Sequence, residues 1–413
     1  MTWRAGLAVV SGCALAATTV RAQDRPTPHL SGSLRGGYWS STRNLDHRHP
    51  LGAGMLWLKG TVPLPHRITI LAEGWSAVRG PPGDPEATIE LREAFATAPI
   101  GGFDLRMGRQ IIAWGRADGV NPTGSLAAED LTLLTPDDAD RRRGAATAMA
   151  SYHFGDLSIS ALWIPEFRGH RFPLPREPGI GYVHARQDWP GDQWALRAER
   201  TGEAVDWSVS VFRGFDLSPD LAPAGTAGRI ALRHHRLRVI GADMATTVGR
   251  FGLRAEAAYT ATEDEAGTDP FTKNPFLFVV LGGDRTFDGR FNLNLQYLLR
   301  AVVHFAPPSS RLAGDDALIA RQQAVLSSET RRVQHGASMR ASVKWLRETL
   351  ETEWAAVAYA GPRGIAMRPK VTYAATDHIT VSLGAEVFRG QDASLFRLLR
   401  PNSVTYLEAR LGF

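Results

Sequence analysis

Phe291-Asn-Leu-Asn-Leu-Gln-Tyr-Leu-Leu-Arg-Ala-Val-Val-His-Phe305 alternates apolar and polar residues with a period of two. Phe291, Leu293, Leu295, Tyr297, Leu299, Ala301, Val303 and Phe305 share one face, and Asn292, Asn294, Gln296, Arg300 and His304 share the other. A helix would need apolar residues every three or four positions, so this stretch predicts a strand with two chemically different faces. The pattern recurs along the chain. Leu350, Trp354, Ala356 and Ala358 oppose Glu351 and Glu353, while Ile379, Val381, Leu383, Ala385 and Val387 oppose Thr380, Ser382 and Glu386.

Extended from residue 29 to the end, the alternation predicts eighteen strands at 29–41, 51–63, 66–79, 87–98, 102–115, 144–154, 156–166, 191–200, 204–214, 230–248, 250–262, 275–287, 289–305, 331–346, 348–360, 364–376, 378–390 and 402–413. Every second connection is tight, centred on Leu64-Pro65, Gly155, Gly202, Gly249, Asp288, Arg347 or Asp377. Most of the others are long, as at 116–143, 167–190, 215–229, 263–274, 306–330 and 391–401. A soluble sandwich has no reason for this asymmetry, whereas an outer-membrane barrel does: short periplasmic turns, long outer loops and an even strand count. The expected fold is therefore all-β, a transmembrane antiparallel barrel of about 18 strands (range 14–18).

Composition agrees by exclusion. With 413 residues, 22% charged, 44% hydrophobic and a single Cys, the chain is neither disordered nor a disulfide scaffold. A formal charge of +5 without any Lys/Arg-rich run gives no reason to expect nucleic acid. Residues 1–22 read as a cleaved signal peptide, with Arg4, an apolar run from Ala5 to Ala17, and Val20-Arg21-Ala22 before the cut. A single barrel domain over residues 23–413 is then expected to be free of cysteine, which suits an oxidising envelope. At the other end, Leu407, Leu411 and the terminal Phe413 lie on one face with Thr405 and Ala409. They resemble the terminal strand by which the barrel-insertion machinery recognises its clients.

The segment from Leu91 to Gly115, LREAFATAPIGGFDLRMGRQIIAWG, followed by Arg116-Ala-Asp-Gly-Val-Asn-Pro-Thr123, resembles the alginate-export-type porins and related uncharacterised outer-membrane families. They share a strand pair ending in "LR.GRQ…WG" and an Asn-Pro loop. The resemblance implies a wide monomeric barrel carrying a small or polymeric anion across the outer membrane.

The candidate functional residues are charges. Arg outnumbers Lys by 43 to 4, which suits permanently charged lumen groups and equally a GC-rich genome. Alternation turns Arg197, Arg254, Glu256, Arg300, Arg340, Lys344, Arg368, Lys370 and Arg410 toward the lumen, along with Glu199, Glu351, Glu353, Glu386 and Glu408. The loop 116–143 carries Arg116, Asp118, Asp137, Asp138 and Asp140 beside Arg141, Arg142 and Arg143, and is expected to enter the lumen and constrict the pore. Asp-Asp-Ala-Asp lacks the glycine-punctuated spacing of a calcium loop, so no metal and no cofactor is expected. No Gly-x-Ser-x-Gly, HExxH, Walker or dinucleotide motif is present, so the reading is not an enzyme. Trp39, Trp57, Trp75, Trp114, Trp163, Trp194, Trp207, Trp345 and Trp354 are expected in interfacial girdles.

The expected function is a porin-like channel for passive passage of small polar or anionic solutes, in contact with outer-membrane lipid and lipopolysaccharide. Two alternatives share the architecture: export of an anionic polysaccharide with a periplasmic partner, and a non-conducting scaffold barrel of an envelope complex.

Overall fold

The computed structural model describes residues 27–41, 51–80, 86–173, 180–185, 192–226, 228–307 and 312–413; the leader lies outside them. Its strands are β1 (His29–Ser41), β2 (Leu51–Pro63), β3 (Thr69–Gly80), β4 (Glu86–Ile100), β5 (Phe103–Gln110), β6 (Ala128–Glu129), β7 (Arg142–Arg143), β8 (Ala145–Phe154) and β9 (Leu157–Ile164). There follow β10 (Gly181–His184), β11 (Gln193–Arg200), β12 (Val205–Phe215), β13 (Asp220–Pro223), β14 (Arg229–Arg233), β15 (Arg236–Val248), β16 (Phe251–Thr262), β17 (Phe276–Phe287) and β18 (Phe291–Val302). The chain ends with β19 (Val333–Trp345), β20 (Leu350–Ala360), β21 (Arg363–Ala374), β22 (Ile379–Gly390) and β23 (Val404–Gly412).

Eighteen of these strands form one antiparallel sheet, which closes where β1 pairs with both β2 and β23. Closure removes every unpaired edge, the condition for a sheet to cross a bilayer. The closing seam continues past the last strand. The Phe413 N–H donates to the Gly32 carbonyl at 3.0 Å, and the Phe413 carbonyl accepts from the Gly32 N–H at 2.9 Å. Phe413, Leu407 and Leu411 are 57%, 49% and 44% exposed on the outer face. Deleting Phe413 removes the last rung of this seam together with its lipid-facing ring. Slower assembly and accumulation of unassembled chain are the expected outcome; a deletion that reaches heat-modifiable barrel at the normal rate would show that the terminal aromatic has no part in insertion.

One end of the barrel carries turns such as 101–102, 155–156, 249–250 and 288–290, and the other carries the connections 111–144, 165–192, 216–235, 263–275 and 303–332. At the long-loop end, β13, β14 and β10 form a small separate sheet. Helix α1 (Gly314–Leu326) packs Ile319 against Leu221, Ile230 and Leu232 of that sheet.

Three expected strands depart most from the alternation. The wall strand expected at 102–115 ends at Gln110, because Ile111 onward turns into the lumen. There Ile112 is buried among Leu162, Phe212, Leu237 and Val239. The one expected at 230–248 divides at His234-His235 into β14, which belongs to the outer sheet, and β15 of the wall. The one expected at 289–305 stops at Val302.

The tryptophans divide by face. Trp163, Trp345 and Trp354 are about half exposed on the outer face, as expected for girdle residues. Trp39, Trp57 and Trp75 are buried on the lumen side instead, and Trp114 packs inside the barrel against the Ile112 cluster, which corrects the girdle assignment for these four. Trp39 stacks on Tyr406 at 4.4 Å between centroids, and Trp57 and Trp75 pack on Leu133 of the long 111–144 connection. That connection fills the lumen, so inward aromatics meet protein rather than water.

Candidate functional site: a charged loop across the lumen

The connection 111–144 leaves the wall at β5 and rejoins it at β8, and between these neighbours it reaches strands on every side of the barrel. Its first arm is held by carboxylates. Glu256 of β16, only 2% exposed, accepts the backbone N–H groups of Arg116 (3.0 Å), Ala117 (3.1 Å) and Thr123 (2.7 Å) and the Thr123 hydroxyl (2.8 Å). At Gly115 a Cβ would stand 2.7 Å from both Glu256 carboxylate oxygens, and its φ is +97°. Only glycine lets the chain pass that close. Arg116 then donates to Asp243 of β15 at 2.8 Å and to Glu199 of β11 at 2.6 Å. Arg197 of β11 lies 3.3 Å from Glu199 and 3.5 Å from Asp243, completing the group. Asp118 reaches β19, where Arg340 donates to it at 3.0 Å.

The second arm is held by cations. Arg35 of β1 donates to Asp140 at 2.5 Å, and Arg92 of β4 donates to the carbonyls of Ala139 (2.6 Å) and Arg142 (3.0 Å) while pairing with Glu73. Both guanidinium carbons lie 4.6 Å from the Trp57 ring centroid, one aromatic spacing two like charges. Arg368 of β21 pairs with Asp138, and Arg141 donates to Glu386 of β22 at 2.6 Å. Asp137 lies 3.5 Å from Lys370 and 3.7 Å from Arg410. Arg368 holds the Asp138 carboxyl below its ordinary range against the opposing effect of burial.

Position around the ring shows what the loop does. In wall order β1 is the first strand and β16 the eleventh of eighteen, so Arg35 and Glu256 stand on nearly opposite walls. Arg35, Glu256 and Arg368 also sit near the middles of their strands. The loop therefore crosses the lumen at mid-height. Beside it lies a cavity of about 360 Å³ between Pro136–Asp140 and a wall of Arg340, Glu353, Arg368, Lys370, Glu386 and Tyr406. Around this opening the wall offers Arg35, Arg340, Arg368, Lys370 and Arg410 against Glu353, Glu386 and Glu408, or 5 − 3 = +2. The loop offers Arg141 against Asp118, Asp137, Asp138 and Asp140, or 1 − 4 = −3. The field runs from the cationic wall to the acidic loop.

Several expected residues lie elsewhere. Arg143 is buried beside Glu90 (3.5 Å), and burial together with Arg168 and Arg171 lowers its pKa to about 10. It anchors the end of the loop rather than facing the opening. Arg254 pairs with Asp284 at 2.9 Å and Lys344 with Glu348 at 3.0 Å, both toward the short-turn end. Arg300 stacks on Phe276 at 3.4 Å near the opposite rim. None of the three touches the loop among the described contacts.

Two features had no clear sequence signal. Residues 165–173 strap the loop from outside, with the Arg171 N–H donating to the Glu129 carbonyl (2.9 Å) and the Leu131 N–H to the Arg171 carbonyl (2.9 Å). His170 Nδ1 accepts the Glu129 N–H at 2.8 Å, and burial drives its pKa down to about 4, so the ring is the neutral acceptor this contact needs. The other feature is the bulge between Glu73 and Gly74, which sets Glu73 beside Arg92.

No family model and no curated protein matches the sequence. Solved structures do match. OccAB1 of Acinetobacter baumannii is 10% identical, with 94% of this chain and 96% of that one covered and a TM-score of 0.56. OccK5 (OpdH) of Pseudomonas aeruginosa is 10% identical over 94% and 97%, with a TM-score of 0.54. OccAB4 of Acinetobacter baumannii is 9% identical over 94% and 99%, with a TM-score of 0.53. Likeness at such identity is likeness of fold, and these matches lend no support to the alginate-export resemblance beyond the level of an outer-membrane β-barrel. The chain is thus an eighteen-stranded transmembrane barrel of the architecture of the Occ outer-membrane porins, with a charged loop drawn across its lumen.

Proposed function

We propose that the protein is an outer-membrane channel through which small polar or anionic solutes pass passively, with the loop 116–143 as its constriction. The supporting observation is the opening of about 360 Å³ between loop carboxylates and wall cations. Its opposed charges orient a polar solute as it passes, since an anionic group is drawn to Lys370 and Arg410 and a hydroxyl or cationic group to Asp137 and Asp138. Planar-bilayer recording of the purified protein separates this reading from a scaffold barrel. A steady open conductance is expected, and silence would overturn the channel.

Selectivity provides a sharper test. Arg368 is spent on Asp138 and Glu386, whereas Lys370 and Arg410 reach their carboxylates only at 3.5–3.7 Å and remain available to a solute. Replacing both, K370Q with R410Q, is expected to lower the anion-to-cation permeability ratio roughly two- to threefold. An unmoved reversal potential in a salt gradient would place the selecting charges elsewhere.

Orientation follows from the loops: long connections face the medium and short turns the periplasm. A tag at Gly267 is expected to be labelled on intact cells and one at Gly202 only after permeabilisation. Labelling at Gly202 on intact cells would reverse the orientation.

A further inference from the structure

On the outer face, one row of cross-strand partners near the long-loop end reads Trp163, Trp194, Arg213, Arg238 and Ala261, from β9 through β11, β12 and β15 to β16. Trp163 and Trp194 are 53% and 37% exposed, as girdle residues are at the edge of the hydrocarbon layer. The next outward residues toward the membrane centre are Leu196, Val211, Ile240 and Tyr259, an apolar belt. From Val205 at the short-turn end to Arg213 is eight residue steps, roughly 26 Å along the strand and about 20 Å of height at a tilt of about 40°, and the tryptophans in the same row set the two arginines at the upper margin of that belt.

Two like charges directly opposite on neighbouring strands destabilise a sheet unless something shares them. Arg213 and Arg238 are both exposed, and among the described residues neither has a carboxylate within ion-pair distance. Nearby acids have other engagements. Asp192 pairs with Arg236 at 2.6 Å, and Glu263 accepts the Arg236 backbone N–H at 3.0 Å. The two arginines open onto a rim groove of about 220 Å³ that Arg236, Glu263 and Glu265 also line. A guanidinium pair at girdle height, beside aromatic rings and above apolar side chains, fits an anion carried on an acyl-chain lipid: phosphate to the arginines, chains along the belt.

We propose that Arg213 and Arg238 form a binding site for the phosphorylated glycolipid of the outer leaflet, gripping a lipid A phosphate at the barrel's edge. The proposal rests on the outer-membrane reading above, but not on conductance, so lipid binding and channel recording can fail independently. The test uses native mass spectrometry of the purified full chain in detergent. The added probes are bis-phosphorylated lipid A, dephosphorylated lipid A, phosphatidylglycerol and inorganic phosphate. The unmodified protein is expected to retain bis-phosphorylated lipid A at least about tenfold better than the dephosphorylated form. R213Q with R238Q should abolish that preference while the barrel stays heat-modifiable. R389Q, an exposed outward arginine at the same end of β22, almost across the barrel, should retain it. Equal retention by the double variant would overturn the site. So would displacement of lipid A by phosphatidylglycerol or inorganic phosphate at comparable concentration, since the pair would then be a general anion patch rather than a glycolipid site.

Discussion

Removing residues 124–139 raises the single-channel conductance several-fold and turns the pore toward anions. An unobstructed barrel of eighteen strands leaves an aqueous channel, so under the proposed function the loop, and not the wall, sets the narrowest point. The excised stretch contains Leu133, which packs on Trp57 and Trp75, and Asp138, which pairs with Arg368. Thr123 is fixed at Glu256 and Asp140 at Arg35, on nearly opposite walls, so a chain shortened between them must let go of one anchor. Either release opens the lumen. The excision also takes out Glu129, Asp130, Asp137 and Asp138 and no basic residue, leaving Arg368, Lys370 and Arg410 facing water without their loop partners. Conductance and anion preference should therefore rise together. A correctly assembled variant with unchanged conductance would mean that the narrowest point lies elsewhere, and the strap at 165–173 would be the next segment to shorten.

The barrel was legible because period-two alternation is a local property: each strand states its two faces in ten residues, and the alternation of short and long connections orders them. Loop 116–143 was legible as a lumen loop from its length and its crowd of charges. Its partners were not, because Glu256 meets Thr123 across 133 positions and Arg368 meets Asp138 across 230. Glu256 was recognisable as an inward charge but not as an anchor, since nothing near it in sequence says which backbone will arrive. Trp57 shows a different failure. Leu56 and Leu58 on either side face out, so alternation alone turns Trp57 inward, and the girdle assignment followed residue type where parity was the better guide. The break at His234-His235 was hidden because Ile230 and Leu232 continue the alternation, although their strand pairs with β10 and β13 rather than with the wall.

Glu256 is the single residue whose loss should do most to free the loop. Its carboxylate accepts four hydrogen bonds, three of them from backbone N–H groups at the turn where the chain swings into the lumen. Hydrogen bonds to a charged acceptor contribute about 1.5–3 kcal/mol each, and a buried N–H left without a partner costs about 1–3 kcal/mol. Glu256→Ala strands three such donors together, so the turn can satisfy them only by moving out to water. Even a net shift of about 3 kcal/mol toward a released arm changes its population more than a hundredfold. Glu256→Gln is nearly the same shape, yet its amide keeps one acceptor oxygen and presents an NH2 group to donors, so it should release the arm too, though less fully. Arg116 moderates the loss, because Asp243 and Glu199 still hold its side chain. The expected result is therefore a noisy channel rather than a permanently wide one: frequent excursions to a higher conductance in E256A, fewer in E256Q, and none in R254Q, which removes an inward charge two residues away that pairs with Asp284 and not with the loop. Traces of E256A that match the unmodified protein in both mean current and fluctuation would show that Arg116 and Asp118 hold the arm without Glu256.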